Sequence, residues 1–433
     1  MTYSPEVNRH NNAKICFNGS PWALHGLLGL SGIPLVNHPM ICPVDKGWAE
    51  FTKARDYLLH QDTPKDIVDT LFDKKGKLLL KNFQVDIDPT QLNLIDLEKL
   101  LKNKLTPIYE AINYSLNGST KDGFNQHDIE HVSRVSNQAC RFLEAAGYDG
   151  KCLKRAVIAA YCHDLGNLLS RKSHEIISAN LTELIFPELV KDTEQWKIIK
   201  DAILFHNEPM LAETFAREGI REPSDQIDYL KKYLPPEALA VLMADKIQVG
   251  RERITNKEIE TNVLDQDQHL ELNLMVNTTS TEITDSSFVW NLDFNRYILK
   301  NESPKVRRFV KRKSLDEGEE ERFKVHVSET VHRLHRSKSI PYHYTYASMF
   351  FDLYFDRNFL TMASVFALFE NVQEFSICIH DKYDSSGGKG SIISETVFKE
   401  GLNEQLVELE KKYQGKTKRK RNRWTKSSEN RKI

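Results

Sequence analysis

The segment 153–166 reads LKRAVIAAYCHDLG, and its pattern decides how the middle of the chain folds. Apolar side chains recur there at the three- and four-residue spacing of one helix face, and Gly166 supplies a stop signal. Two ionisable residues, His163 and Asp164, stand at the end of this apolar helix. An isolated ionisable group is costly against an apolar face, so this pair needs a partner.

The neighbouring segments repeat the helical pattern. An apolar stripe covers residues 127–146 before this segment, and further stripes cover residues 176–185, 196–204 and 236–247 after it. The last stripe opens with a proline, which is well tolerated in the first turn of a helix. Five helices with short joints predict an all-α bundle in the middle of the chain.

The chain changes character after this bundle. Residues 255–285 are polar and rich in Asn, Thr and Asp, which predicts a linker or a long loop. Residues 288–298 and 375–379 are typical of strands, and residues 344–370 between them form a long helical pattern with many aromatic side chains. This order predicts a small α+β module. The apolar face of its helix is either core or a dimer interface, and both are favoured over a cofactor site.

Four regions follow from these changes in pattern. Residues 1–105 carry no recognisable motif, and their role stays open. Residues 106–256 form the helical domain, residues 257–410 the linker and α+β module, and residues 411–433 a basic tail that is expected to be disordered. The predicted fold class is mainly α, a helical bundle with a small C-terminal α+β module. A homodimer through that module is one arrangement that fits the pattern.

Length and composition exclude several classes of protein. A chain of 433 residues suits two or three domains rather than one small module. The 60 Lys and Arg residues are balanced by 61 Asp and Glu residues, which excludes a uniformly basic nucleic-acid coat. No apolar run reaches the roughly 18 residues of a membrane span, and the N-terminus lacks a secretory signal pattern. The six cysteines are scattered without a C-x-x-C pair, so we expect reduced thiols and a cytoplasmic location.

The bundle carries a set of residues that are typical metal ligands. Each lies in or beside an apolar helical face, where a bound divalent cation would relieve the cost of an isolated charge. Any one of them alone is more simply explained as a hydrogen-bonded residue at a helix end. Their coincidence on successive helix ends predicts that they converge on metal. The set comprises His127, His131, His163, Asp164, His174, His206 and Asp245.

The motifs in this set resemble the HD superfamily of metal-dependent phosphohydrolases. The resemblance rests on His131-x-x-Arg134-Val135, His163-Asp164-Leu165-Gly166 and Ala244-Asp245-Lys246, and it covers roughly residues 120–256. The chain is also similar to prokaryotic HD-domain proteins of unassigned substrate with a C-terminal α+β extension, which match His206-Asn207-Glu208 as well. The resemblance implies an HD-type helical bundle.

The resemblance also implies how the ligands are shared between metal ions. One or two divalent ions are expected, and Mn, Mg, Fe, Co and Zn all remain open. The second ion would be held by His174 and His206, with Asp164 bridging the two ions. The first ion would be held by His131, His163, Asp164 and Asp245.

Two further groups bear on the reaction. His127 is similar to the histidine that protonates the leaving oxygen in mammalian-type cyclic-nucleotide phosphodiesterases, which implies a catalytic role for it beside Asp164. Lys246, Arg251 and Arg253 supply cations that suit a phosphate group, and a solvated basic helix face explains them equally well. The chain lacks the Gly-Tyr-Pro signature of large-ring cyclic-dinucleotide esterases, which argues against that substrate.

The expected function is metal-dependent hydrolysis of a phosphomonoester or phosphodiester, with a nucleotide or nucleotide-like substrate. Two alternatives stay open. One is a non-hydrolytic module that senses a nucleotide. The other is a di-iron oxygenase, because the superfamily fold also houses such enzymes and a His-rich site suits iron.

The C-terminal tail raises a separate question about partners. Residues 411–433 are rich in Lys and Arg, hold a single Glu and include Trp424. The simplest interpretation is a solubilising tail. The alternative is contact with nucleic-acid phosphates, with some stacking by the indole. The basic run at residues 305–313 would extend such a patch, although the acidic block at residues 316–321 opposes it.

Overall fold

Helices dominate the chain and a small sheet follows them, so the predicted mainly α class is confirmed. Several predictions concern residues outside those the structure describes: the role of most of residues 1–105, Arg251, the charged runs within residues 305–321, and the tail beyond residue 414. The computed structural model describes residues 65–72, 79, 82–117, 127–169, 174–250, 253, 273, 276–294, 355–381 and 391–414.

The helical bundle contains every helix that the apolar stripes predicted, here α3, α4, α5, α7 and α10. It also contains α2, α8 and α9, which the stripes did not reveal, and α2 runs through the boundary predicted at residue 105. In chain order the helices are α1 Lys65–Leu71, α2 Leu94–Asn117, α3 Ile129–Ala145, α4 Gly150–Cys162, α5 His174–Ile185, α6 Pro187–Lys191, α7 Thr193–Leu204, α8 Glu208–Glu218, α9 Pro223–Tyr233 and α10 Pro236–Ile247. Short 3-10 turns occupy Pro89–Gln91 and Leu165–Leu168.

Aspartate side chains begin three of these helices. Asp128, Asp149 and Asp192 each accept hydrogen bonds from backbone N–H groups in the first turns of α3, α4 and α7. Such caps satisfy donors that the helix itself leaves unpaired and stabilise it by about 1 kcal/mol. Asp128 bonds the backbone N–H of His131 at 2.7 Å, so this cap also fixes the turn that carries a candidate ligand.

The C-terminal module is a four-stranded sheet with two helices. Its strands are β1 Val276–Ile283, β2 Ser287–Phe294, β3 Glu374–Asp381 and β4 Ser391–Phe398, and its helices are α11 Phe355–Leu368 and α12 Leu402–Gln414. The strands lie in the order β1-β2-β3-β4, with β2 and β3 parallel and the two outer pairs antiparallel. The parallel pair is joined through α11, as parallel neighbours require a crossover connection.

One prediction for this module was wrong. Residues 276–283 fall in the segment 255–285 that was predicted as a linker or long loop, and they form strand β1. The segment is polar, but its threonines are β-branched and suit an exposed edge strand. The strands predicted at residues 288–298 and 375–379 are present as β2 and β3, and residues 295–298 of the first prediction lie outside the described residues.

Helix α10 is buried and packs against both the helical bundle and the C-terminal module. Every residue from Glu237 to Ile247 is buried. It packs against α3, α4 and α7 of the bundle and against α11 of the C-terminal module. Helix α11 also packs on α9, and residues 358–369 are all buried. The interpretation of the aromatic helix as core is therefore confirmed within one chain.

The ring of Phe288 joins the sheet to the bundle. It is fully buried and lies 5.8 Å, centroid to centroid, from Phe142 of α3. It also contacts Phe369 after α11 at 6.1 Å and stacks on Phe375, its register partner on β3, at 5.7 Å. Aromatic clusters of this kind bury large apolar areas and fix relative orientation.

None of the helices in the described ranges combines the length and apolar character needed to cross a membrane.

We predict that Phe288→Ala lowers the free energy of unfolding by about 3–5 kcal/mol, because it removes a buried ring that three other rings contact. The matched control is Phe398→Ala, which truncates a half-exposed ring at the end of the edge strand β4. It should lower the free energy of unfolding by less than about 1 kcal/mol. Urea denaturation of both variants would test this. Equal losses would show that the Phe288 cluster does not join the two parts.

Candidate metal centre

The six predicted metal ligands come from five helices and converge on one point. All six are buried, and Asp245 is the most exposed of them at 8%. Their positions explain the convergence, because each lies at or near a helix end that points into the same region of the bundle. They are His131 in the first turn of α3, His163 and Asp164 at the end of α4, His174 at the start of α5, His206 after α7 and Asp245 near the end of α10.

The first group consists of His131, His163, Asp164 and Asp245. Asp245 Oδ1 lies 3.3 Å from His131 Nε2 and 4.0 Å from His163 Nε2. Asp164 Oδ2 lies 3.2 Å from His163 Nε2 and 3.8 Å from His131 Nε2. Two imidazole nitrogens and two carboxylate oxygens therefore face one another, which is a donor set that divalent metal ions accept.

The second group consists of His174, His206 and Asp164. It uses the other oxygen of the shared carboxylate, because Asp164 Oδ1 lies 3.4 Å from His174 Nε2 and 4.0 Å from His206 Nε2. The two Nε2 atoms of His174 and His206 are 3.0 Å apart. The ligand atoms of His174, His206 and Asp164 all lie within 4.8 Å of one another. The same limit holds among the ligand atoms of His131, His163 and Asp164. Asp164 is thus placed between two potential metal positions.

The orientation of the rings fits metal binding. His163 Nδ1 is 2.7 Å from the carbonyl oxygen of Ala160, and His206 Nδ1 is 2.6 Å from that of Ile203. A carbonyl oxygen only accepts hydrogen bonds, so each Nδ1 carries a proton and each Nε2 faces the cluster. Among the described residues, the buried Nε2 atoms of His131 and His163 have no hydrogen-bond partner. Buried imidazole nitrogens that face ionised carboxylates are a donor set that suits a divalent cation, so the residues present fit a metal ion.

Gly166 makes the second group possible. A Cβ atom added to it would lie 2.0 Å from the carbonyl oxygen of His174. The close approach brings the first turn of α5 against the turn that follows Asp164, and the backbone N–H of Gly166 donates to Ser178 Oγ at 2.8 Å. Glycine after the His-Asp pair is therefore required by the packing of two backbones.

The ligands are themselves held by neighbouring side chains. His174 Nδ1 lies 3.2 Å from Glu175 Oε2, and Asn207 Nδ2 donates to the same oxygen at 3.0 Å. Asn167 Nδ2 donates to Asp164 Oδ1 at 2.8 Å. Contacts of this kind orient metal ligands and tune their affinity. These three supporting residues were not predicted from the sequence, although each is within three residues of a candidate ligand along the chain.

Two of the three basic residues predicted to bind phosphate are buried, and each contacts other groups of the chain. Lys246 is buried, and its ammonium group donates to Asp245 Oδ2 at 2.9 Å and lies 3.1 Å from Glu208 Oε2. Arg253 is also buried and donates to the carbonyl oxygen of Gln248 at 2.9 Å. Arg251 lies outside the described residues.

The charges around the cluster keep both carboxylates ionised. Burial alone raises the pKa of Asp164, but His163 and His127 beside it outweigh burial and hold that pKa well below its usual range. Burial likewise acts upward on the pKa of Asp245, and Lys246 and His131 hold it well below its usual range. Both groups therefore present negative oxygens at neutral pH.

The histidines divide into two kinds. Burial and the charge of Arg253 lower the pKa of His131 to about 3. Burial, with His163 and His174 nearby, holds the pKa of His206 well below its usual value. Burial acts downward on His163 too, but Asp164 outweighs it and raises the pKa of His163. His131 and His206 are therefore neutral donors at neutral pH, as metal ligation requires.

His127 lies next to the first group. Its side chain is buried, and Nε2 is 3.9 Å from Asp164 Oδ2. Its ring stands edge-on to that of His131 with the centroids 5.8 Å apart. This position lies beside the ligands, within reach of a group bound there.

The fold and the cluster together define a helical domain whose buried histidines and aspartates could hold a metal ion. Residues 128–250 match the family model described as HD domain, and this range contains all six candidate metal ligands. This match confirms the HD-type domain that the sequence motifs predicted, and HD domains form a superfamily of the metal-dependent phosphohydrolase type. Comparisons with curated proteins and with solved structures found no match.

We predict that Asp164→Ala removes metal from both groups while helix content stays unchanged, because its two oxygens face different histidine pairs. His206→Ala should reduce metal content less, since it affects the second group alone. Elemental analysis and circular dichroism would measure both quantities. Asp149→Asn is the control, because it keeps a cap at the far end of α4, about 20 Å away along the helix. Full metal content in Asp164→Ala protein would refute the shared-carboxylate geometry.

We also predict that Gly166→Ala displaces the start of α5 and lowers metal binding by the second group. The added methyl group meets backbone atoms of His174, which cannot rotate away, and overpacking of this kind costs about 1–3 kcal/mol. Gly150→Ala is the matched control, since a Cβ there has no heavy atom within 4 Å. Thermal unfolding and metal titration of the two variants should differ clearly. Identical behaviour would show that the close approach at Gly166 has no importance.

Proposed function

We propose that the protein is a metal-dependent phosphohydrolase that cleaves a phosphomonoester or phosphodiester, with a nucleotide or nucleotide-like molecule as substrate. The observation that carries the proposal is the position of Asp164, whose two carboxylate oxygens face two separate groups of histidines. The match of residues 128–250 to the HD domain model supports the same reaction class.

The proposed ligands are His131, His163, Asp164 and Asp245 for one ion, and His174, His206 and Asp164 for the other. One or two divalent ions held there would supply a Lewis acid and lower the pKa of a coordinated water molecule. Four imidazoles among the donors favour Mn, Fe, Co or Zn over Mg, which prefers oxygen.

Within this proposal the chain's own residues hold the substrate and supply a proton. His127 is assigned as the general acid that donates a proton to the leaving oxygen, because its ring lies beside Asp164 without belonging to either group. Arg253 is assigned to the phosphate, since it is buried near His131 and Asp245 and lowers the pKa of both. Arg251 stays a predicted phosphate ligand.

The two alternatives make different predictions for the same cluster. A di-iron oxygenase is favoured by the nitrogen-rich donor set, and it would consume dioxygen with iron bound. A non-hydrolytic nucleotide sensor would bind nucleotide without turnover. No ligand position is lost in this chain, so nothing favours the sensor over the enzyme. The cytoplasmic location, the homodimer and the contact of the basic tail with nucleic acid stay predictions.

The decisive experiment is metal analysis of protein purified without chelator, followed by a screen of nucleotides and phosphate esters with the metal found. We predict that His127→Gln lowers kcat by about 100- to 10,000-fold, the usual loss when a general acid is removed, while metal content stays unchanged. His380→Gln is the control, because this histidine lies on the sheet and contacts Asn291. Dioxygen consumption without ester hydrolysis would refute the phosphohydrolase and support the oxygenase.

A further inference from the structure

Three consecutive residues between α7 and α8, His206-Asn207-Glu208, each reach a different part of the metal centre. We call them the 206–208 joint. His206 itself is a candidate ligand of the second group, with Nε2 4.0 Å from Asp164 Oδ1. The two residues that follow it act through intermediaries, one toward each group.

Asn207 reaches the second group through Glu175. Its side-chain amide donates to Glu175 Oε2 at 3.0 Å, and that same oxygen lies 3.2 Å from His174 Nδ1. Glu175 is buried at 4% exposure, so its carboxylate depends on these contacts. A carboxylate that accepts from Nδ1 fixes the tautomer and directs Nε2 toward the metal position.

Glu208 reaches the first group through Lys246. Its Oε2 lies 3.1 Å from Lys246 Nζ, which donates to Asp245 Oδ2 at 2.9 Å. The other oxygen, Asp245 Oδ1, is the one that faces His131 at 3.3 Å. A buried ammonium between two carboxylates is held firmly, because withdrawing either partner leaves an uncompensated charge.

We propose that the 206–208 joint positions both metal groups at once. His206 supplies a ligand, Asn207 orients His174 through Glu175, and Glu208 orients Asp245 through Lys246. This assigns Lys246 to positioning a ligand rather than to contacting phosphate. The inference rests on the proposed metal centre and extends it, since the two groups become linked by three adjacent residues as well as by Asp164.

The linkage has a simple geometric basis. Three adjacent residues span at most about 10 Å even when extended, so a displacement of the joint moves all three side chains together. We call the path through Glu175 to the second group one arm, and the path through Lys246 to the first group the other arm. A displacement of the backbone at the joint is therefore felt at both groups, whereas removal of the Asn207 or the Glu208 side chain alone is felt at one.

Binding of Mn²⁺ alone to the full chain, measured by titration calorimetry, tests the two arms separately. His174→Ala protein retains the first group and reports on it. His131→Ala protein retains the second group and reports on that one. The melting temperatures of the wild-type and single-variant proteins, measured without metal, show whether each substitution only destabilises the fold.

We expect Glu208→Gln to weaken Mn²⁺ binding by the first group about 10- to 100-fold, the usual effect of losing a supporting partner, and to leave the second group nearly unchanged. We expect Asn207→Ala to do the reverse. Glu218→Gln is the matched control on the same helix, because that side chain is exposed and pairs with Arg217. It should alter neither group.

A double-mutant cycle then tests the intermediary. Because Glu208 is proposed to act through Lys246, the effect of Glu208→Gln on Mn²⁺ affinity should vanish in Lys246→Met protein. Lys246→Arg, which keeps the charge, should restore part of the wild-type affinity. A Glu208→Gln effect that persists in full beside Lys246→Met would overturn the assignment of Lys246.

Two outcomes would overturn the proposal as a whole, and they are distinguishable. In the first outcome, Asn207→Ala and Glu208→Gln each weaken Mn²⁺ binding by both groups equally and also lower the melting temperature of the metal-free protein. The joint would then be only structural. Failure of the wild-type protein to bind Mn²⁺, Fe²⁺ or Zn²⁺ would instead refute the metal centre, and the positioning roles would fall with it.

Discussion

The constraint on which the structure depends is the burial of an ionised carboxylate at Asp164. A charge removed from water is costly unless it is paired and hydrogen-bonded, and this one has both kinds of partner. Asn167 donates to one of its oxygens, and histidines from α3, α4, α5 and the end of α7 surround it. The ends of these helices therefore meet around the Asp164 carboxylate. The packing of the bundle and the geometry of the candidate site depend on the same contacts.

Helix α10 carries this arrangement into the rest of the molecule. It is buried along its whole length after Pro236, it places Asp245 and Lys246 at the cluster, and it also packs against α11. The family match ends at residue 250, but the packing does not, since Phe288 and its aromatic neighbours continue the core into the sheet. The C-terminal module thus covers the helix that holds a ligand.

Sequence pattern was sufficient for the parts of the fold that repeat with helical period and for selecting the residues that the structure brings together as candidate ligands. The apolar stripes predicted α3, α4, α5, α7 and α10. His163, Asp164 and the other candidate ligands were selected because ionisable residues at apolar helix ends need a partner. Helices α8 and α9 have mixed polarity, and β1 has a polar, Thr-rich sequence, so periodicity alone did not reveal them. The supporting roles of Glu175 and Lys246 depend on contacts between distant helices, which no local pattern records.

The burial of α11 against α10 has a consequence for synthesis on the ribosome. Helix α10 ends at Ile247, whereas α11 begins at Phe355, so the covering helix emerges about a hundred residues after the helix that it covers. At translation rates of about 5–20 residues per second, the apolar side of α10 waits roughly 5–20 seconds for its cover. The nascent chain therefore passes through a stage in which the ligand-bearing bundle exists but its core is open. Assembly of the candidate metal centre and completion of the hydrophobic core are therefore separated in time. During that interval the exposed apolar side of α10 is accessible to a chaperone.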